Sequence, residues 1–126
     1  MTLENLEFLI EQKLDQPTVV VNSQLYIVCY NQAAENCFQY KRDEVIGEHL
    51  NILIPGNFHH SHNRLAEQFI QKYEPPRLMN QRKTIIYGKR KDGREFAIKV
   101  AISNTHICGQ RYAIACINHY RRIDIK

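Results

Sequence analysis

Three histidines crowd one short stretch: His59, His60 and His62 in NFHHSHNRL. On a helix, His59 and His62 have the spacing of a metal-binding pair, and His60 adds a third imidazole. No Cys, Asp or Glu stands between residues 57 and 66 to complete a ligand set. The Glu of His-Glu-x-x-His, the general base of a metal-assisted hydrolase, is also missing. The alternative is a solvated first turn with one inward histidine, His62. The four cysteines, Cys29, Cys37, Cys108 and Cys116, form no CxxC pair. They read as buried thiols acting as small hydrophobes, not as a zinc site or a disulfide framework. Nor does the chain carry a Gly-rich phosphate loop or a nucleophile elbow.

A second candidate is basic. Lys89, Arg90, Lys91 and Arg94 cluster in one place, Arg121, Arg122 and Lys126 in another, and the formal net charge is +4. A nucleic-acid surface would interleave such charges with aromatic platforms, and none is present. The clusters read as solvated charge on a turn and on a frayed end, with no nucleic-acid partner expected. No apolar run approaches the ~20 residues of a membrane helix. The N-terminus carries acids where a secretory signal carries Lys or Arg. The expectation is a cytoplasmic protein with no membrane contact.

The elements that must position these residues follow from periodicity. Leu3, Leu6, Leu9, Ile10 and Leu14 recur at helical spacing behind Thr2, a potential N-cap. Residues 18–21 (TVVV) and 25–30 (LYIVCY) predict two strands joined at Asn22-Ser23-Gln24, apolar on both faces and so covered on both. Asn31 should cap a short helix over 32–38, and residues 41–47 should make one helical turn closed by Gly47. Leu50, Ile52, Leu53 and Ile54 form a brief buried segment that Pro55-Gly56 stops. A longer helix opens at Asn57 and places Phe58, His62, Leu65, Phe69 and Tyr73 on its apolar side until Pro75-Pro76. Residues 83–87 and 96–102 predict a hairpin about Asp92-Gly93. Phe96, Ile98, Val100 and Ile102 form one apolar face of it. A turn near Cys108-Gly109 leads into a last strand over 111–118. The fold class is α+β: a five-stranded antiparallel sheet with short helices between strands 2 and 3 and an N-terminal amphipathic helix. The expected organisation is a helix over 1–16, one domain over 17–120 and a polar tail over 121–126.

Several segments, in order, resemble the PAS family: Tyr30-Asn31-Gln32-Ala33-Ala34, Asp43-Glu44-Val45-Ile46-Gly47, Leu53-Ile54-Pro55 with His62 seven residues on, and Arg90-Lys91-Asp92-Gly93-Arg94-Glu95-Phe96. The resemblance spans residues 17–118, and its group includes haem oxygen sensors and their haem-free relatives. It implies a pocket between the inner sheet face and the central helices, and signalling without enzymatic activity. His62, Leu65, Phe69, Ile85, Phe96, Ile98, Val100 and Ile114 are expected to line that pocket. The family's common Asp-Ile-Thr end is replaced by Asn118-His119-Tyr120.

Cofactors follow from the same resemblance. Flavin-binding relatives carry a reactive cysteine just after the glycine of the Asp43–Gly47 turn, a position matched here by about Leu50. Asn36-Cys37-Phe38-Gln39 looks similar but precedes Gly47, so flavin is not expected. Haem relatives bind iron through the histidine matched by His62; the other reading of His62 is a buried, hydrogen-bonded imidazole. A pocket filled by the chain's own aromatic side chains would make the domain an interaction module instead. A homodimer is expected through Leu6, Leu9 and Ile10 with the sheet positions Ala113 and Ala115, together with contacts to a signalling partner or effector domain.

Overall fold

The structure, a computed structural model, describes residues 2–11, 16–59, 77–78 and 86–120. Helix α1 (Leu3–Glu11) begins where Thr2 Oγ1 accepts the Asn5 N–H at 3.1 Å, the expected N-cap. Strands β1 (Thr18–Asn22) and β2 (Ile27–Tyr30) pair antiparallel. Helices α2 (Gln32–Phe38) and α3 (Arg42–Val45) follow, then 3-10 turns at Leu50–Leu53 and Gly56–Phe58. Strands β3 (Arg77–Leu78), β4 (Ile86–Lys89), β5 (Glu95–Ile107) and β6 (Gln110–Tyr120) complete the sheet.

Every pairing is antiparallel, in the order β2-β1-β6-β5-β3, with β4 also pairing β5. β3 meets β5 at Ala101 and Ile102, and β4 meets it from Glu95 to Ile98. They therefore share one edge, and the sheet is five strands wide as expected. The expected third strand began at residue 83, whereas β4 begins at Ile86; residues 79–85 lie outside the described set. At the opposite edge, residues 47–50 cover β2. Ile27 N–H donates to Glu48 O, Gly47 N–H to Ile27 O and Leu50 N–H to Leu25 O, at 2.8–2.9 Å. The start of this edge is thereby paired.

Leu25 does not belong to β2. It sits in a turn at φ 70°, fully buried. Asn22 Oδ1 accepts the N–H groups of Gln24 (3.0 Å) and Tyr26 (2.9 Å), which holds the turn against the ~1 kcal/mol cost of left-handed backbone at a branched residue. A register shift between Val20 and Val21 then lets Ile27 and Tyr30 join the inner core while Cys29 turns to the other face. The β5–β6 hairpin turns at Cys108 (φ 50°) and Gly109 (φ 80°), the two-residue turn whose twist suits a long hairpin.

Two apolar layers result. On the inner face, Val19, Val21, Phe96, Ile98, Val100, Ile102 and Ile117 pack with Ala34, Cys37, Phe38, Val45 and Leu53 of the helical side. On the outer face, Leu6 and Ile10 of α1 pack with Val20, Cys29 and Ile107, with Tyr112 and Ile114 partly buried beside them. Asn31 joins the layers, with 1% of its surface exposed. Its Oδ1 accepts from Thr18 N–H and Ala34 N–H, both at 3.0 Å. Its Nδ2 donates to Ile10 O at 3.0 Å and Gln16 O at 2.9 Å. Asn31→Ala removes the cap and strands these buried backbone groups. It should lower stability by about 2–4 kcal/mol, read as a lower urea midpoint at unchanged m-value.

Candidate functional site on the inner face of the sheet

Along β5, buried Phe96, Ile98, Val100 and Ile102 alternate with exposed or half-buried Glu95, Ala97, Lys99 and Ala101. This is the period-two stripe expected from the sequence. Beside it on β6 stand Ala113, Ala115 and Ile117, because Ala115 pairs with Ile102 and Ala113 with Asn104. Opposite stand Val45 and Leu53, with Tyr40, Leu50, Ile52 and Ile54 partly buried around them.

One end of this space is filled with rings. Phe38 and Phe96 lie 5.6 Å apart at a tilt of 57°, and the Arg90 guanidinium lies 5.7 Å from the Phe96 centroid. Gly88 makes the contact feasible. A Cβ there would lie 3.0 Å from Phe38 and 3.1 Å from Phe96. Tyr30, almost fully buried, has its hydroxyl within reach of the carbonyls of Ala34 (3.2 Å) and Tyr40 (3.1 Å). Burial raises its pKa, so it serves as a neutral donor. At positions 113 and 115 the inward side chains are short, both alanine. Asn51 lies in the turn that sets Leu53 into the core. Its Oδ1 is the one buried side-chain polar atom without a hydrogen-bond partner among the described residues.

The expected lining divides accordingly. Phe96, Ile98, Val100 and Ile102 come together on the inner wall. Ile114 does not: it lies on the outer face beside α1, and Ala113 and Ala115, expected at a dimer contact, face inward instead. Ile114 pairs with Val20, and both turn outward, so adjacent residues on β6 take the inner face. His62, Leu65, Phe69 and Ile85 lie outside the described residues. Leu6 and Ile10 are buried against the sheet of their own chain, whereas Leu9 (46% exposed) and Phe8 (66%) face solvent.

Of the histidine cluster, His59 Nε2 lies 2.7 Å from Ile54 O. A carbonyl can only accept, so that nitrogen carries the proton and is not a free metal ligand. Among the described residues no group of three or more His, Cys, Asp or Glu is placed to hold a metal ion. The basic tip is less solvated than its composition suggests. Arg90 is buried, Lys91 is ion-paired with Glu44, and Lys91 N–H donates to Phe38 O at 3.0 Å. Of the cysteines, Cys29 and Cys37 are buried free thiols, Cys116 is half-buried and Cys108 is exposed at its turn. Burial pushes Cys37 from 9.0 up to about 12, so it stays a protonated core thiol. For haem, the described wall supplies apolar surface; the iron ligand would be His62.

The sequence matches the PAS fold family over residues 4–116, and the chain belongs to that family. The PAS domain of Bordetella pertussis BvgS is similar in structure, with a TM-score of 0.72, 16% identity, and 95% of this chain and 88% of that one covered. A PAS domain from a Colwellia psychrerythraea protein gives a TM-score of 0.69, 18% identity and coverages of 96% and 97%. One from a two-component sensor histidine kinase gives 0.66, 12%, 94% and 99%. At such identities the likeness is one of fold. No match is found among curated proteins. Among the described residues, no helix is long and apolar enough to cross a membrane.

Two outcomes are expected. Gly88→Ala should cost about 1–3 kcal/mol, because the rings of a packed core must shift to admit a methyl group; chemical denaturation measures it. Cys29 and Cys37 are both raised from 9.0 to about 12 in the folded chain. Below pH 9 the thiols are protonated in both states and cost nothing. As pH rises from 9 towards 12, the unfolded chain loses these protons while the folded chain keeps them. Stability should therefore fall by up to about 1.4 kcal/mol per pH unit for each thiol. Denaturant titrations at pH 8 and 10.5 should show a smaller loss for Cys37→Ala than for the natural chain.

Proposed function

We propose that this PAS-fold chain is a sensory or regulatory module of signal transduction. It would sense a small molecule or a cofactor state at the inner sheet face and relay it through homodimer or partner contacts, without catalysing a reaction. The observation that carries the reading is Asn51 Oδ1, a buried acceptor that has no partner among the described residues, in the turn that bounds the inner core. A buried amide oxygen left open costs free energy that a donor on a bound molecule would recover. The bound molecule would lie beside Ala113 and Ala115, whose inward side chains are short. That one similar structure comes from a sensor histidine kinase fits an effector-linked role. The more specific form of the proposal is haem held by His62. Its wall would be the Ile98, Val100 and Ile102 stripe, and the group when bound would supply gas or redox sensitivity. The cytoplasm is the compartment in which we place it.

A second reading is a ligand-free interaction module. It is favoured by the ring contact that fills the Phe38 and Phe96 end, and by Phe8 and Leu9 exposed side by side on α1. Native mass spectrometry and an absorbance spectrum of the freshly purified chain separate the two. The sensor reading expects a co-purifying small molecule whose occupancy falls at least tenfold in Ala115→Leu and in Asn51→Leu. A Soret band lost in His62→Ala identifies haem. A chain that is spectrally blank and adduct-free, even after haem reconstitution, sinks the sensor reading in favour of the interaction module. In either case Leu9→Glu should convert a homodimer to monomer by light scattering; an unchanged mass refutes that contact.

A further inference from the structure

Helix α1 lies on the outer face, away from α2 and α3, yet its polar tethers lead to them. Asn31, the N-cap of α2, donates to Ile10 O near the end of α1 and to Gln16 O beyond it. Glu7, halfway along α1, is ion-paired with Arg42, the first residue of α3. Arg42 is in turn bound to α2, since its backbone N–H donates to Glu35 Oε2 at 2.6 Å. Glu35 N–H donates to Asn31 O at 3.1 Å, which closes the circuit. The other face of α2 carries Ala34, Cys37 and Phe38 into the inner core. A displacement of α2 at the inner face therefore acts on both tethers of α1.

We propose that Asn31, Glu35, Arg42 and Glu7 form a clasp around the β2 edge that couples the packing of α2 on the inner face to the docking of α1 on the outer face. The proposal does not depend on what the inner face binds. Leu6 and Ile10 hold α1 by apolar contact, and the clasp sets how readily that contact opens. Cys29 lies fully buried beneath α1, with Glu7 and Arg42 close enough to perturb its thiol.

The two buried thiols supply the test. Opening of α1 exposes Cys29, on the outer face, and leaves Cys37, on the inner face, covered. The alkylation rates of both cysteines are measured by peptide mass spectrometry on the intact native chain with a small maleimide. Glu7→Gln should speed Cys29 about two- to fivefold, the range of an exposed ion pair, with Cys37 unchanged. Arg42→Gln should do the same, and the double variant should add nothing. Glu35→Ala removes no α1 contact identified in the clasp, and should also speed Cys29 selectively. Three results overturn the clasp: unchanged Cys29 rates in Glu7→Gln, Cys29 and Cys37 rising together, or acceleration confined to Glu7 and Arg42 variants with Glu35→Ala silent.

Discussion

The carboxamide of Asn31 is where the two halves of this fold are joined. A buried amide has two hydrogens and an oxygen to satisfy, and here all are met by backbone. Its oxygen starts both β1 and α2, and its nitrogen closes the connection that returns α1 to the sheet. A hydrogen bond between neutral groups contributes only about 1 kcal/mol net. The leverage of Asn31 comes instead from burial, because each group it serves would otherwise be stranded away from water. The position of α1 and the start of the sheet thus depend on one side chain that also caps a helix.

From that joint the sheet presents two unlike faces. The outer face is covered over β1 and β2 by Leu6 and Ile10 of α1. The inner face grades along its length. It is packed by rings at the α2 end, where Gly88 lets Phe38 and Phe96 approach, and bounded by short side chains at 113 and 115. The hairpin tip is held to the α2 end by Lys91, through its ion pair with Glu44 and its backbone bond to Phe38. Arg90, which composition assigns to solvent, is buried beside Phe96 because a guanidinium can lie over a ring face.

Local signals hold wherever one residue controls its own neighbourhood. Thr2 and Asn31 cap helices, Gly47, Gly93 and Gly109 take positive φ, and the β5 stripe from Phe96 to Ile102 keeps strict alternation. The misplacements occur where the partner decides. Ala113, Ile114 and Ala115 are all short or apolar, so their pattern does not say which face they take; pairing with β1 does. Leu25 looks like strand, but the Asn22 side chain competes for the backbone and turns it. Cys108 reads as a small hydrophobe like the other thiols, yet the hairpin exposes it. Asn51 carries no such signal, since an acceptor buried without a partner among the described residues exists only once the fold surrounds it.

The sequence by itself determined the order of elements, the antiparallel sheet and the inward stripe of β5, and its ordered motifs pointed to the PAS family that residues 4–116 match. These are properties of periodicity, capping and turn chemistry, which act over a few residues. Only the tertiary structure decided that Asn31 also reaches Ile10, Gln16 and Thr18, that Glu7 meets Arg42, and that residues 113–115 place alanines inside and isoleucine outside. Each of these joins positions far apart in the chain. Such contacts arise from the register between strands and the closure of loops, and no local pattern encodes them.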